Sequence, residues 1–215
     1  MNGLWPWLTL ALLGAYHGIN PGMGWLFAVA LGLQEKSRQA VINALVPIAL
    51  GHAMSIGIVV LLVGLAQRVL PGLILRQLCV VVLFTFGLYR LFRFRHPRWV
   101  GMRVGFRDLT AWSFLMSSAH GAGLMLMPIL LKWPVPEHAH HPGTGPSSLP
   151  QIASSPGLLL AAVGIHTFSL FLVTGVVALL VYEKLGLAIL RQAWFNLDLL
   201  WALALLVAGI TILVG

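Results

Sequence analysis

The sequence predicts an all-α membrane protein: six transmembrane helices arranged as two inverted three-helix repeats. Three observations carry that reading. The 215 residues are 59% hydrophobic and 8% charged, with a mean hydropathy of +0.94, which is the composition of an integral membrane protein. The apolar residues gather into six runs, at 5–33, 41–66, 71–92, 108–131, 156–182 and 191–214, each near or above the roughly 20 residues that cross a bilayer. Finally, the first three runs and the last three share polar landmarks, which makes one membrane domain of two halves, 1–95 and 106–215.

The first run is too long and too polar at its centre for a cleaved signal peptide, so a retained span is expected. Its centre reads "HGINPGMGW", residues 17–25. A lipid-facing helix needs none of these polar and helix-breaking residues. Counted from residue 7, His17 sits about 15 Å deep at 1.5 Å per residue, near the middle of a hydrocarbon layer about 30 Å thick. Pro21 lacks the N–H that the carbonyl four residues back would accept. The carbonyl of His17 is therefore expected to be freed, and Gly18, Gly22 and Gly24 to relax the backbone beside it. The expectation is a broken helix with Asn20, Pro21 and Met23 along a polar path.

The second run carries His52, Met54 and Ser55, with Pro47 expected to free the carbonyl of Asn43. The third holds Cys79. A single cysteine rules out a disulfide within the chain and any dithiol chemistry. The fourth run has Ser117, Ser118, His120, Met125 and Met127, and Pro128 is expected to free the carbonyl of Leu124. The segment "KWPVPEHAHHPGTGPSSLPQIASSPG", 132–157, is rich in Pro, Gly and Ser and reads as disordered. Its His138, His140 and His141, with Glu137, form a short metal-attracting tract: either a capture or release antenna, or a polar linker. The fifth run carries His166, Thr167 and Ser169. The sixth contains Asp198, a candidate proton carrier that can equally cap its helix or pair with Arg191.

Orientation follows the basic residues. Lys36, Arg38, the cluster Arg90, Arg93, Arg95, Arg98, Arg103 and Arg107, and Lys184 and Arg191 fall in three connections that should share one face. With that face cytoplasmic, only Arg68, Arg76 and Lys132 lie outside, and both termini face out. The net charge of +8 then reports topology and lipid phosphates, not nucleic acid. The expected location is a bacterial-type inner membrane.

The repeat appears when the runs are aligned. "AYHGINPGMGWLFAVAL" at 15–31 pairs with "SAHGAGLMLMPILL" at 118–131, and "ALGHAMSIGIVVLLVGL" at 49–65 with "AVGIHTFSLFLVTGVVALL" at 162–180. Three spans per half invert the second half, as in many secondary transporters. A lone intramembrane histidine can be a simple helix–helix hydrogen bond. Four histidines paired by a repeat point to one shared site: His17, His52, His120 and His166. Neutral imidazole takes transition metals and protons alike. Met23, Met54, Met125 and Met127 can add thioether contacts or simply pack. Asn20, Ser55, Ser117, Ser118, Thr167 and Ser169 can orient the imidazoles.

Taken together, these motifs resemble the nickel/cobalt efflux (NicO-type) branch of the LysE transporter superfamily. The family pattern is a His, three residues, then Pro-Gly-His; here "HGINPGM" supplies His17, Pro21 and Gly22, with Met23 in place of the second His. "QAVINALVPIALGH" supplies Gln39 through His52 at similar spacing, and a His-bearing loop between repeats is a further likeness. The other half reads "HGAGLMLMP", without a second Pro-Gly-His. The resemblance covers residues 10–65 best and the six spans loosely. It implies export across the inner membrane.

The reading is therefore a non-enzymatic transporter of a divalent transition-metal ion through a midplane histidine site. Its partners are the lipid bilayer and the metal ion, with no nucleic acid and with room for a homo-oligomer. Two rivals remain: a proton-coupled exporter of a small organic or inorganic solute, and a membrane enzyme or assembly factor holding haem or a di-iron centre. The dispersal of the histidines counts against the last.

Overall fold

Residues 4–92, 104–131, 156–185 and 197–214 are described by a computed structural model. Every regular element among them is helical. Helix α1 (Trp5–Ile19) opens with Pro6, whose missing N–H costs nothing in a first turn. It ends at the break foreseen around Pro21. A 3₁₀ turn, Pro21–Met23, follows, and then α2 (Trp25–Glu35). Gly24 stands between them at φ 122°, a conformation that favours glycine.

Helix α3 (Arg38–Val69) is capped by Ser37, whose hydroxyl accepts from the amide of Ala40, and it runs on through Pro47. Then come α4 (Gly72–Phe92) and α5 (Phe106–Ala119), the latter started by Asp108, whose carboxylate accepts from the Gly105 amide. Past α5 the chain turns through Gly121 and a 3₁₀ turn, Leu124–Leu126, into the short α6 (Met127–Leu131). Helix α7 (Pro156–Leu180) ends in a π turn, Val181–Leu185, and α8 (Leu197–Val214) completes the described chain.

Three described helices, α3, α4 and α7, are long and apolar enough to cross a membrane, and α5 with the segment through Leu131 makes a fourth if its 50° bend is counted within one span. The first predicted run is divided between α1 and α2. The outward faces are apolar: Leu61, Leu62, Val81, Leu160, Phe168 and Val176 are all exposed. Such faces suit lipid and not water.

The helices associate in pairs: α1 with α7, α3 with α5, and α4 with α8. Small residues make the first two contacts possible. At Gly14 a Cβ would strike the carbonyl of His166, and at Gly18 it would lie 2.8 Å from the carbonyl of Leu170. At Gly51 it would strike the carbonyl of Thr110 and lie 2.8 Å from the amide of Phe114. Hydroxyls stitch the same seams. Ser169 Oγ donates to the Ala11 carbonyl at 2.7 Å, Ser113 Oγ donates to the Ile48 carbonyl at 2.6 Å, and the Ser55 and Ser118 hydroxyls bond each other at 2.9 Å. In lipid, where apolar contact alone gives helices no preference for each other, such close packing and hydrogen bonding drive association.

The two ends of the bundle carry the charges. Arg38, at the start of α3, pairs with Glu183, just past α7, at 3.2 Å. Arg76, near the start of α4, caps α8 at the opposite end of α3: its Nε donates to the Ile212 carbonyl and its Nη2 to the Leu213 carbonyl, both at 2.7 Å.

Candidate functional site

Three of the four intramembrane histidines meet. His17 comes from the last turn of α1, His52 from the middle of α3 and His166 from the first half of α7; all three are fully buried. Ring centres lie 5.3 Å apart for His17 and His52, 4.9 Å for His17 and His166, and 5.5 Å for His52 and His166. His120 caps α5 and is close enough to His17 to act on it electrostatically. The point a Cβ would occupy on Gly22 is 3.5 Å from His120 Cε1 and 3.3 Å from Asn20 Oδ1, so His120 and Asn20 flank the 3₁₀ turn.

Hydrogen bonds assign the tautomers. His17 Nδ1 lies 2.7 Å from the Leu13 carbonyl, His120 Nδ1 2.7 Å from the Met116 carbonyl, and His166 Nδ1 3.2 Å from the Leu10 carbonyl. A carbonyl oxygen only accepts, so each of these Nδ1 atoms carries the ring's hydrogen and each Nε2 carries the lone pair. His52 Nδ1 meets the Ser117 hydroxyl at 2.7 Å. The Nε2 atoms of His52 and His166 are buried with no hydrogen-bond partner. Leaving such atoms unsatisfied costs about 1–3 kcal/mol each. Two unpartnered ring nitrogens among packed helices are a poor structural device and a reasonable receptor for a cation or a proton.

The ring planes limit what can bind. A ring nitrogen's lone pair lies in its own ring plane, and the stacked planes of His52 and His166 are within 5° of parallel. His17 is inclined at 69° and 74° to the other two. Among the described residues, no group of three or more His, Cys, Asp or Glu is arranged to hold a metal ion; a tetrahedral zinc-type site would need nitrogens converging at about 2.0–2.1 Å from one centre.

Several expectations need correction. The break at Pro21 does not free the carbonyl of His17, because the Asn20 amide takes it at 3.1 Å. A 3₁₀-type bond closes the helix end where the α-type donor is missing. The Leu124 carbonyl is likewise taken, by the Met127 amide, so Pro128 does not free it. The Ile19 carbonyl is taken by the indole Nε1 of Trp25 at 2.9 Å. Asn20 Oδ1 accepts from the Gly22 amide at 2.9 Å, leaving its Nδ2 buried and unpartnered. Met54 is 48% exposed on the outer face of α3, away from the histidines. Met125 and Met127 lie in an apolar cluster with Leu10, Leu83 and Leu205, so they pack and do not line a polar path.

The other expected residues are distributed around the site. Met23 is buried with its sulfur 3.9 Å from the Ser117 hydroxyl. Ser55 and Ser118 serve the α3–α5 seam, and Ser118 touches no histidine through any described hydrogen bond. Thr167 Oγ1 is buried without a hydrogen-bond partner beside His166. His138, His140 and His141 lie outside the described residues, as does the side chain of Asp198. Sequence reasoning treated Ser117 as one hydroxyl among several; its direct bond to His52 spans 65 positions and left no local signal.

No family profile, curated protein or solved structure matches the chain.

Proposed function

We propose that this chain is a membrane transporter that carries a transition-metal cation through the buried histidine cluster, in the direction of export that its motif resemblance implies. His17, His52 and His166 act as transient ligands, with His120 beside the turn as the next imidazole on the path. The observation that carries the proposal is the meeting of three fully buried imidazoles from three helices, two of them with orphaned Nε2 atoms, inside a bundle with apolar outer faces. A transit site must release what it binds. A site without a preformed group of three metal ligands among the described residues fits that need better than a closed cage would.

Helix pairing supports the inverted repeat. Exchanging the halves turns the α1–α7 pair into the α5–α3 pair and returns α4–α8 to itself, which is the partner choice a two-fold relation requires. The histidines follow the same relation. His17 and His120 each bond a carbonyl four residues back in their own helix, whereas His52 and His166 each reach across to the other half. Six spans with both termini outside complete this reading. The shared end of Arg38 and Glu183 agrees with it.

A second reading has one specific observation in its favour. Among the described residues no three His, Cys, Asp or Glu are arranged to hold a metal ion, so the histidines can instead couple proton flow to export of a small solute. Reconstituted vesicles separate the two. The first reading expects saturable movement of nickel, cobalt, zinc or copper that His17→Ala and His166→Ala abolish. Indifference to all of these metals, with proton flux retained, would establish the second.

A further inference from the structure

His52 differs from the other three imidazoles in what holds its Nδ1. Backbone carbonyls hold the Nδ1 atoms of His17, His120 and His166, and a carbonyl fixes the tautomer because it can only accept. The Ser117 hydroxyl at 2.7 Å from His52 Nδ1 can accept or donate. If it donated, the ring's hydrogen would sit on Nε2, and His52 would present an N–H to the site in place of a lone pair. The tautomer therefore depends on where the single hydroxyl proton of Ser117 points.

Met23 offers that proton an acceptor: Ser117 Oγ lies 3.9 Å from Met23 Sδ, and of the two only the hydroxyl can donate. A thioether has no proton to offer, so the direction is not reversible. Both residues are fully buried, so water does not compete for the hydroxyl. We infer that Met23 is a positioning residue: its sulfur takes the Ser117 proton, which makes Ser117 an acceptor for His52 Nδ1–H and keeps a bare Nε2 facing the cluster. Met23 lies on the Nδ1 side of His52 and so serves as an orienting group and not as a ligand.

The inference gives the break in the first span a purpose. The turn Pro21–Met23 packs against α5, and Met23 is its last residue. When the turn lifts from α5, the sulfur leaves and the Ser117 hydroxyl can rotate to donate to Nδ1. The ring then keeps its one hydrogen on Nε2, exchanged through water, and loses its ligand lone pair. The ability of His52 to ligate is thus tied to the docked position of the turn. The tautomer stands on these hydrogen bonds alone; its value for a cation rests on the transport reading above.

The test is ¹⁵N magnetic resonance of the full chain, labelled at histidine, in lipid nanodiscs at neutral pH without added metal, with His52 assigned by its absence in His52→Ala. The wild-type chain should show His52 protonated at Nδ1 and bare at Nε2. Met23→Leu should move the hydrogen to Nε2, and selenomethionine in place of methionine should leave it at Nδ1. In a Ser117→Ala background Met23→Leu should change nothing at His52. A wild-type His52 protonated at Nε2 would overturn the inference, as would an unmoved hydrogen in Met23→Leu or an equal effect of Met23→Leu without the serine. If Met23→Leu does not fold, the wild-type spectrum still overturns the inference when it shows His52 protonated at Nε2. Metal movement in vesicles is a separate measurement. Its failure alongside the expected spectra would count against the transport reading alone.

Discussion

The imidazole planes of His52 and His166 lie within 5° of parallel, with ring centres 5.5 Å apart and each Nε2 buried without a hydrogen-bond partner. These residues sit on different helices and are 114 positions apart in the numbering. Two buried ring nitrogens without partners cost stability unless a polar group meets them. On the transport reading, replacing either with alanine should lower metal binding by at least roughly 10- to 100-fold, the loss seen when even an outer-shell partner of a metal ligand is removed. Thermal stability should fall, because each fully buried ring leaves a cavity and takes a hydrogen bond from Ser117 or from the Leu10 carbonyl. Isothermal titration alongside a melting curve checks both.

Gly14 and Gly51 hold the two close helix crossings. Gly14→Ala drives a methyl into the His166 carbonyl, and Gly51→Ala drives one into the Thr110 carbonyl. Backbone cannot yield as a side-chain tip can, so each should cost about 1–3 kcal/mol. Gly57, whose added Cβ meets nothing within 4 Å, is the control: Gly57→Ala in the same helix should be neutral or slightly stabilising. Unfolding in mild detergent with increasing denaturant reads the difference.

Arg76→Gln removes the two guanidinium bonds to the Ile212 and Leu213 carbonyls. Charge-assisted bonds to helix-end carbonyls are worth about 1.5–3 kcal/mol when well shielded, and less here because one of them is exposed. The expected result is faster hydrogen exchange in the last turn of α8, with metal binding at the histidines unchanged.

Arg38 and Glu183 form an exposed pair, with 64% and 42% of their side chains accessible. Such pairs contribute at most about 1 kcal/mol and are screened by salt. Glu183→Gln should shift the unfolding midpoint little, and the shift should vanish in high salt. A large, salt-insensitive loss would mean that the bundle depends on this end far more than its geometry indicates.

Trp25→Phe and Asn20→Ala both loosen the chain break. The first leaves the Ile19 carbonyl without its indole donor, and the second leaves the Gly22 amide without its cap. Loss of a capping side chain typically costs about 1 kcal/mol. Both variants should fold, and both should show increased protease or hydrogen-exchange access at residues 19–24, measured by mass spectrometry.

Much of this site was legible in the sequence. The break was readable because Pro21 and Gly24 impose backbone constraints wherever they occur, and a repeat of His-bearing runs singled out His17, His52, His120 and His166. What failed was accounting for the freed carbonyls. Pro21 does remove a donor, but the Asn20 amide lies within reach of the His17 carbonyl, and no composition argument shows that a tighter turn will close. The methionines failed for another reason. Met54, two residues beyond His52, points away because 100° per residue carries it around the helix, whereas Met23 falls beside Ser117 through contacts 94 positions apart. Partners at such separations, including Arg76 with the end of α8, depend on which helices pack together, and six similar apolar runs do not announce their neighbours.

The tight crossings at Gly14 and Gly51 have a mechanical outcome. Each locks two helices into a stiff plank, α1 with α7 and α3 with α5, and the imidazoles are shared evenly: His17 and His166 ride on one plank, His52 and His120 on the other. On the transport reading proposed above, a rocking of one plank against the other would part His17 and His166 from His52 and His120.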